Sequence, residues 1–178
     1  MQLVSAVLSK DRKATAEFVA LHADGIYAYV RHRLIPRSDL VDDIVQDVFL
    51  SAWENLARFQ GISSLRNWLL GIARHKVEDY YRTRLREPGV IEDEGTDPSP
   101  PTVVVPEFAE NIDRQNQEKR VREVLESLPE ICSLLLLWRY WEKRSTREIA
   151  VATGKSEKAV ERLLARAREQ FRRRWSNE

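Results

Sequence analysis

From Leu40 to Phe59 apolar residues return every three or four positions, at Val45, Val48, Phe49, Ala52, Trp53 and Leu56. That spacing is the helical period, and it predicts a helix with one buried stripe. Ala14 to Leu34 repeats it through Phe18, Leu21, Ile26, Tyr29 and Val30. Ser64 to Leu85 does so through Leu65, Trp68, Leu69, Ile72, Ala73, Val77 and Tyr80. In the second half, boundary signals carry the reading. Ser127-Leu-Pro-Glu130 has the form of a capping box, with Pro129 at the first helical position, and an apolar run from Cys132 to Tyr140 follows. Ser145-Thr-Arg-Glu148 is a second capping box, Gly154 suits the left-handed residue that ends a helix, and Ser156 caps the next one. No stretch alternates long enough to make a half-buried strand. The expected fold is all-α.

The helical pattern stops between Glu87 and about Glu118. That segment, EPGVIEDEGTDPSPPTVVVPEFAEN onward, is rich in proline and acid and reads as an extended or disordered linker. A compact domain rarely contains so long a loop, so two domains are expected, 1–86 and 119–178. Charge divides the same way. Residues 1–86 hold 13 basic and 10 acidic side chains, residues 87–118 hold 1 and 9, and residues 119–178 hold 15 and 9. The formal net charge of +1 therefore conceals two basic segments around an acidic one, which points to nucleic-acid contact by the ends.

REIAVATGKSEKAVERLLARARE, beginning at Arg147, reads as two helices around a tight turn. Ala159, Val160, Leu163, Leu164, Ala167 and Phe171 of the second helix are expected to pack on Ile149, Ala150 and the Leu134–Leu137 run. Lys155, Ser156, Lys158, Glu161, Arg162, Ala165 and Arg166 gather about its N-terminal half, where a recognition helix meets base edges. Arginine pairs with guanine and glutamate accepts from cytosine. Lys155, Arg168 and Arg172–Arg174 suit phosphates. Glu157 and Glu161 weaken nonspecific grip, so weak binding is expected of this domain alone.

In the first domain DDIVQDVFLSAWENL has an outward stripe of Asp43, Gln46, Asp47, Leu50 and Glu54, three or four residues apart. An acidic face around a leucine suits a basic protein partner rather than DNA. The next helix is expected to bury Trp68 and Ile72 and to show Asn67, Leu70, Arg74, His75, Glu78, Tyr81 and Arg82. Cations, amides and an aromatic ring together hold phosphates and stack on unpaired bases. The loop before it, Phe59-Gln60-Gly61-Ile62-Ser63-Ser64, has the polar, flexible make-up that can hold an extruded base.

Other chemistry finds little purchase. The sole cysteine, Cys132, cannot form an internal disulfide and reads as a small buried residue; His22, His32 and His75 make no metal spacing. No acid/base pair, nucleophile motif or phosphate loop is present, so no enzyme, metal or cofactor is expected. The chain opens without a signal-peptide pattern, and its longest apolar run, Leu134–Trp138, is far short of the roughly 18 residues that span a bilayer. A cytoplasmic protein is expected.

Taken in order, DDIVQDVFLSAW, SSLRNWLLGIARHK, a Pro-rich acidic linker, LPEICSLLLLWRYWEKRSTREIA and the helix-turn-helix resemble a bacterial RNA polymerase sigma factor of the extracytoplasmic-function group. The likeness spans roughly Phe18 to Arg173. It implies that the Asp43–Trp53 helix docks on the basic clamp helices of the β′ subunit of core polymerase. It implies that Gln60–Arg82, with Gln60, Ser63, Ser64, Asn67, Arg74, His75, Tyr81 and Arg82, recognises and helps melt the −10 promoter element. The linker would thread toward the polymerase active-site cleft. The last domain would read the −35 element and touch the β flap, and an anti-sigma factor is a further partner of such proteins. The family often has Asn where His75 stands, an aromatic at Leu70 and a basic residue at Gly71. Its frequent V-K-S-R-L becomes Val160-Glu161-Arg162-Leu163-Leu164, so promoter preference does not transfer. Two other readings of the residues stay open: a stand-alone helix-turn-helix regulator, disfavoured by the acidic face, and a helical protein–protein adaptor.

Overall fold

The computed structural model describes residues 2–86 and 111–176, and these form helices joined by short turns with no strand among them. Two compact units result, Met1–Tyr81 and Arg82–Glu178.

In the first unit α1 (Gln2–Leu8) precedes α2 (Arg12–Arg33), α3 (Val41–Asn55) and α4 (Leu65–Arg84), whose last turn runs into the second unit. The sequence reading began at Ala14 and missed α1. Seven residues with two buried valines, Val4 and Val7, are too few to display a period. Asp11 starts α2: its carboxylate accepts from the backbone N–H groups of Lys13 at 2.8 Å and Ala14 at 2.9 Å. Phe18, Ile26 and Val30 of α2 form the core with Val48 and Ala52 of α3 and Leu69, Ala73 and Val77 of α4. Burial of each large aliphatic or aromatic side chain contributes about 1.5–3 kcal/mol. Phe18 meets Phe49 edge-on at 6.2 Å. Leu21, expected inside, is exposed. His22 lies against Phe18, and burial, with the Arg66 charge second, holds its imidazole below the ordinary value.

The second unit contains α5 (Asn111–Ser127), α6 (Glu130–Leu136), a widened turn at Leu137–Trp141, α7 (Thr146–Thr153) and α8 (Glu157–Ser176). Its helix α5 begins inside the stretch read as linker, so residues 111–118 are helical; residues 87–110 lie outside the described part of the chain. The capping box expected at Ser127–Glu130 does not form. Ser127 ends α5 and its hydroxyl donates to the Val124 carbonyl at 2.7 Å, which takes it away from α6. Pro129 holds the cap position of α6 without a side-chain bond.

The core of this unit is the apolar run Ile131–Trp138 against Ile149, Val160, Leu164 and Ala167. Burial pushes the Cys132 thiol up, which fits a packing role. Trp138 is sealed by the Arg144 guanidinium, 4.4 Å from its ring, and Arg144 is held in turn by Glu142 at 2.8 Å. That clamp fixes the chain just before α7. The capping box at Ser145 is present: Glu148 N–H donates to the serine hydroxyl at 3.2 Å, and Ser145 N–H donates to the glutamate at 2.7 Å. Gly154 ends α7 at φ 70°, where a β-carbon would be strained. Replacing Ser145 with Ala is expected to cost this unit about 1 kcal/mol. Hydrogen exchange of the α7 amides measures it; unchanged protection would show that the box adds nothing.

Candidate nucleic-acid and protein interfaces

On α3 the buried positions are Val41, Val48 and Ala52. The opposite side is open to solvent at Asp43, Gln46, Asp47, Leu50 and Glu54. Leu50 is 55% exposed, a large apolar side chain framed by carboxylates. Asp47 has a distant cation in Lys76 Nζ at 3.9 Å and keeps more than half its side-chain surface in water. One assignment on this helix needs correction. Trp53 was placed in the inward stripe beside Ala52, but it is 42% exposed. Ala52 alone fills the interior at that level, and Trp53, three residues after Leu50, extends the outward stripe. The face is therefore an apolar pair, Leu50 and Trp53, bordered by Asp43, Asp47 and Glu54. The i, i+3 relation to Leu50 was the available signal for Trp53, but an aromatic ring beside a buried alanine reads as core.

The second candidate surface begins in the loop between α3 and α4. Phe59 closes its entrance by packing on Trp68, ring centres 5.3 Å apart. Gly61 adopts φ 70° and turns the chain. Ser64 starts α4, its hydroxyl accepting from Asn67 N–H at 3.2 Å. Gln60, Ile62, Ser63 and Ser64 are exposed, as are Asn67, Arg74 and His75 along α4. Two expected members fall inside. Glu78 is buried, and its carboxylate accepts from Arg74 Nε at 2.9 Å. Tyr81, expected to face outward and stack on bases, is fully buried at 0% exposure. Its hydroxyl donates to the Arg33 carbonyl at 3.1 Å, near the end of α2, and its ring meets Tyr80 edge-on at 5.0 Å. The adjacent Tyr80 and Tyr81 cannot share a face, and α4 turns Tyr81 inward. Tyr80 instead stays half-buried and its hydroxyl accepts from Arg37 Nη1 at 3.2 Å. Arg82 is half-buried and Leu70 is too.

The third surface lies on α8. Ser156 caps it, accepting from Ala159 N–H at 3.2 Å. Lys158, Glu161, Arg162 and Arg166 are exposed; Lys155 and Arg168 are half-buried. Ala165 is a further correction: it is 8% exposed, not outward. Its polar neighbours suggested an open face, but α5, α6 and α7 all pack on α8 and cover more of its circumference than one stripe. The C-terminal arginines differ in setting. Arg172 and Arg173 both bond Glu169, at 3.1 and 2.9 Å, while Arg174 donates to the Ser127 carbonyl. Among the described residues no cluster of His, Cys, Asp and Glu has metal-binding geometry, and no helix is long and apolar enough to cross a membrane.

Comparison with known proteins gives two family matches in order. Sigma-70 region 2 matches residues 18–87 and Sigma-70, region 4 matches residues 118–171. The RNA polymerase sigma factor NccH of Alcaligenes xylosoxydans xylosoxydans is 30% identical over 158 residues, 89% of this chain and 84% of that one. The ECF RNA polymerase sigma factor SigC of Mycobacterium tuberculosis is 51% identical over 41 residues, 23% of this chain and 22% of that one. Among solved structures, CnrH in complex with the cytosolic domain of CnrY covers 99% of this chain and 96% of its own at 26% identity, with a TM-score of 0.43.

Proposed function

The chain belongs to the sigma-70 family, as an RNA polymerase sigma factor of the extracytoplasmic-function type, and from that premise we propose how its surfaces divide the work. As a sigma factor it binds core RNA polymerase and directs promoter-specific initiation. Sigma factors as a family are not enzymes; catalysis stays with the polymerase. The observation that carries the reading is the ordered pair of region 2 and region 4 matches, joined by an alignment to one relative over 89% of the chain.

Residue roles follow from exposure and charge. The Asp43, Asp47, Leu50, Trp53 and Glu54 face of α3 docks on the basic β′ clamp helices of the polymerase. Carboxylates steer the encounter and the apolar pair supplies the anchor. The loop Gln60–Ser64 and the Asn67, Arg74 and His75 side of α4 handle the −10 element. The exposed start of α8 reads the −35 element through Lys158, Glu161, Arg162 and Arg166, and the outer surface of this domain meets the β flap. Domain 1–86 thus carries the first two tasks, 119–178 the third, and the acidic span 87–118 tethers them. A tether makes binding of the second element effectively intramolecular, so two weak DNA contacts suffice once polymerase sets their spacing. That accounts for a DNA-reading chain of nearly neutral total charge. An anti-sigma protein would act by competing for the α3 face, and the site of action is the cytoplasm.

The first experiment is co-elution of the chain with bacterial core polymerase on a sizing column. Promoter fragments are then selected from genomic DNA by the holoenzyme, with run-off transcription as the readout. Co-elution and specific run-off products are expected. Failure to co-elute, together with tight duplex binding by the free chain, would establish the stand-alone regulator instead. On the selected promoter, Arg162→Ala is expected to alter preference at one −35 base pair by about 1–3 kcal/mol. Arg172→Ala, by removing a cation that Glu169 already engages, weakens all promoters slightly and alike. A uniform loss for Arg162→Ala would remove base reading from that residue.

A further inference from the structure

We infer that Ile62 is an apolar wedge that enters the opened duplex and keeps the separated −10 strands from re-pairing, a role that rests on the sigma-factor reading above. Among the large apolar residues of the described chain Ile62 is the most exposed, at 88%. It is also the one that sits at a loop tip rather than on a helix side.

The loop is built to present it. On one side Phe59 is packed on Trp68, 5.3 Å between ring centres, and Phe59 N–H donates to the Leu56 carbonyl at 3.1 Å. On the other, Ser64 is held twice: its hydroxyl accepts from Asn67 N–H at 3.2 Å and its carbonyl from Trp68 N–H at 3.0 Å. Both ends of the loop thus converge on the first turn of α4. Between them Gly61, at φ 70°, reverses the chain and leaves Ile62 at the apex. Ile62 contributes nothing to the core, so the fold does not account for an apolar residue here.

Its neighbours identify what it meets. Gln60 and Ser63, exposed on either side, can bond base edges, and Asn67, Arg74 and His75 continue the polar surface along α4. An aliphatic side chain among them has no partner in a phosphate. Its complement is the flat, apolar face of a base, reached only where two steps have separated. Proteins that unstack DNA insert Ile, Leu, Met or Phe in this way and fill the gap that would otherwise close. The wedge therefore acts after the duplex has begun to part, and it adds nothing to binding of a closed duplex or to binding of polymerase.

That order of events sets the test. Holoenzyme carrying Ile62→Ala, Ile62→Ser or Ile62→Leu is compared with wild type on the promoter selected above. One template is fully paired; the other carries a mismatched bubble across the −10 element. Permanganate reactivity of unpaired thymines reads opening, and co-elution reads polymerase binding. Ile62→Ala and Ile62→Ser are expected to co-elute normally and to open the paired template about tenfold more slowly, one barrier increment of that size. On the bubble they match wild type, and Ile62→Leu keeps activity on both. Opening of the paired template by Ile62→Ala at the wild-type rate would overturn the proposal. So would a defect of equal size on the bubble, which would make Ile62 a simple DNA contact. If wild type itself neither co-elutes nor opens any promoter, the sigma-factor assignment of the surfaces fails instead, and the two failures are told apart.

Discussion

Charge reversal at Asp43 and Asp47 together, or truncation of Leu50 and Trp53 together, is expected to weaken core polymerase binding by 100-fold or more. Truncating a buried anchor at a protein interface costs about 2 kcal/mol or more, and each 1.4 kcal/mol is a factor of ten. Two such residues, three apart on one helix face, put the change well within reach of a sizing column or a competition assay. The two pairs should differ in kind. Asp43→Arg with Asp47→Arg places like charges against the basic helices, so the loss shrinks as salt rises. Leu50→Ala with Trp53→Ala removes apolar contact and is insensitive to salt. Both pairs leave the fold intact, since all four side chains are largely in water. Normal holoenzyme assembly by either pair would detach this face from polymerase binding. A drop in helical content would show instead that Trp53 supports the core.

Tyr81→Ala is the second large effect, and it falls on stability. Removing a fully buried aromatic costs about 3–5 kcal/mol, against the roughly 5–15 kcal/mol that holds a domain folded. The Arg33 carbonyl loses its donor as well. Tyr81→Phe keeps the ring and loses only that hydrogen bond, at a cost of about 1 kcal/mol. Hydrogen exchange of the α2 and α4 amides follows the first unit separately from the second. A base-stacking tyrosine would behave oppositely. Both substitutions would then leave protection unchanged, and Tyr81→Ala would impair promoter opening in a folded protein.

Much of this protein was legible from its residues. Helices α2, α3 and α4 followed from apolar spacing at Phe18, Val48, Leu69 and their neighbours, because a three-to-four residue period has one geometric solution. The turn from α7 into α8 followed from Ser145, Gly154 and Ser156, whose side chains, or lack of one, satisfy backbone groups within a few residues. The acidic α3 stripe, the polar loop before α4 and the basic start of α8 were visible for the same local reason. The order of these elements resembled one family strongly enough to name it, and the family matches agree.

What the pattern left to the tertiary structure were residues whose surroundings come from distant parts of the chain. Trp53 is hydrophobic and sits beside a core alanine, yet Ala52 already fills the space there. Tyr81 looks polar and accessible, yet the end of α2, 48 positions earlier in the chain, supplies both its pocket and its hydrogen-bond acceptor. Ala165 stands among charged neighbours, yet three helices close around α8. Ser127 carries a cap signature, yet the preceding helix claims its hydroxyl. Periodicity states which side of a helix is apolar; it does not state how many neighbours that helix will have or where they will lie. The helices and their boundary chemistry were therefore determined locally, by backbone hydrogen bonding and side-chain spacing. The membership of each functional face was decided by packing, because burial is a property of the assembled core.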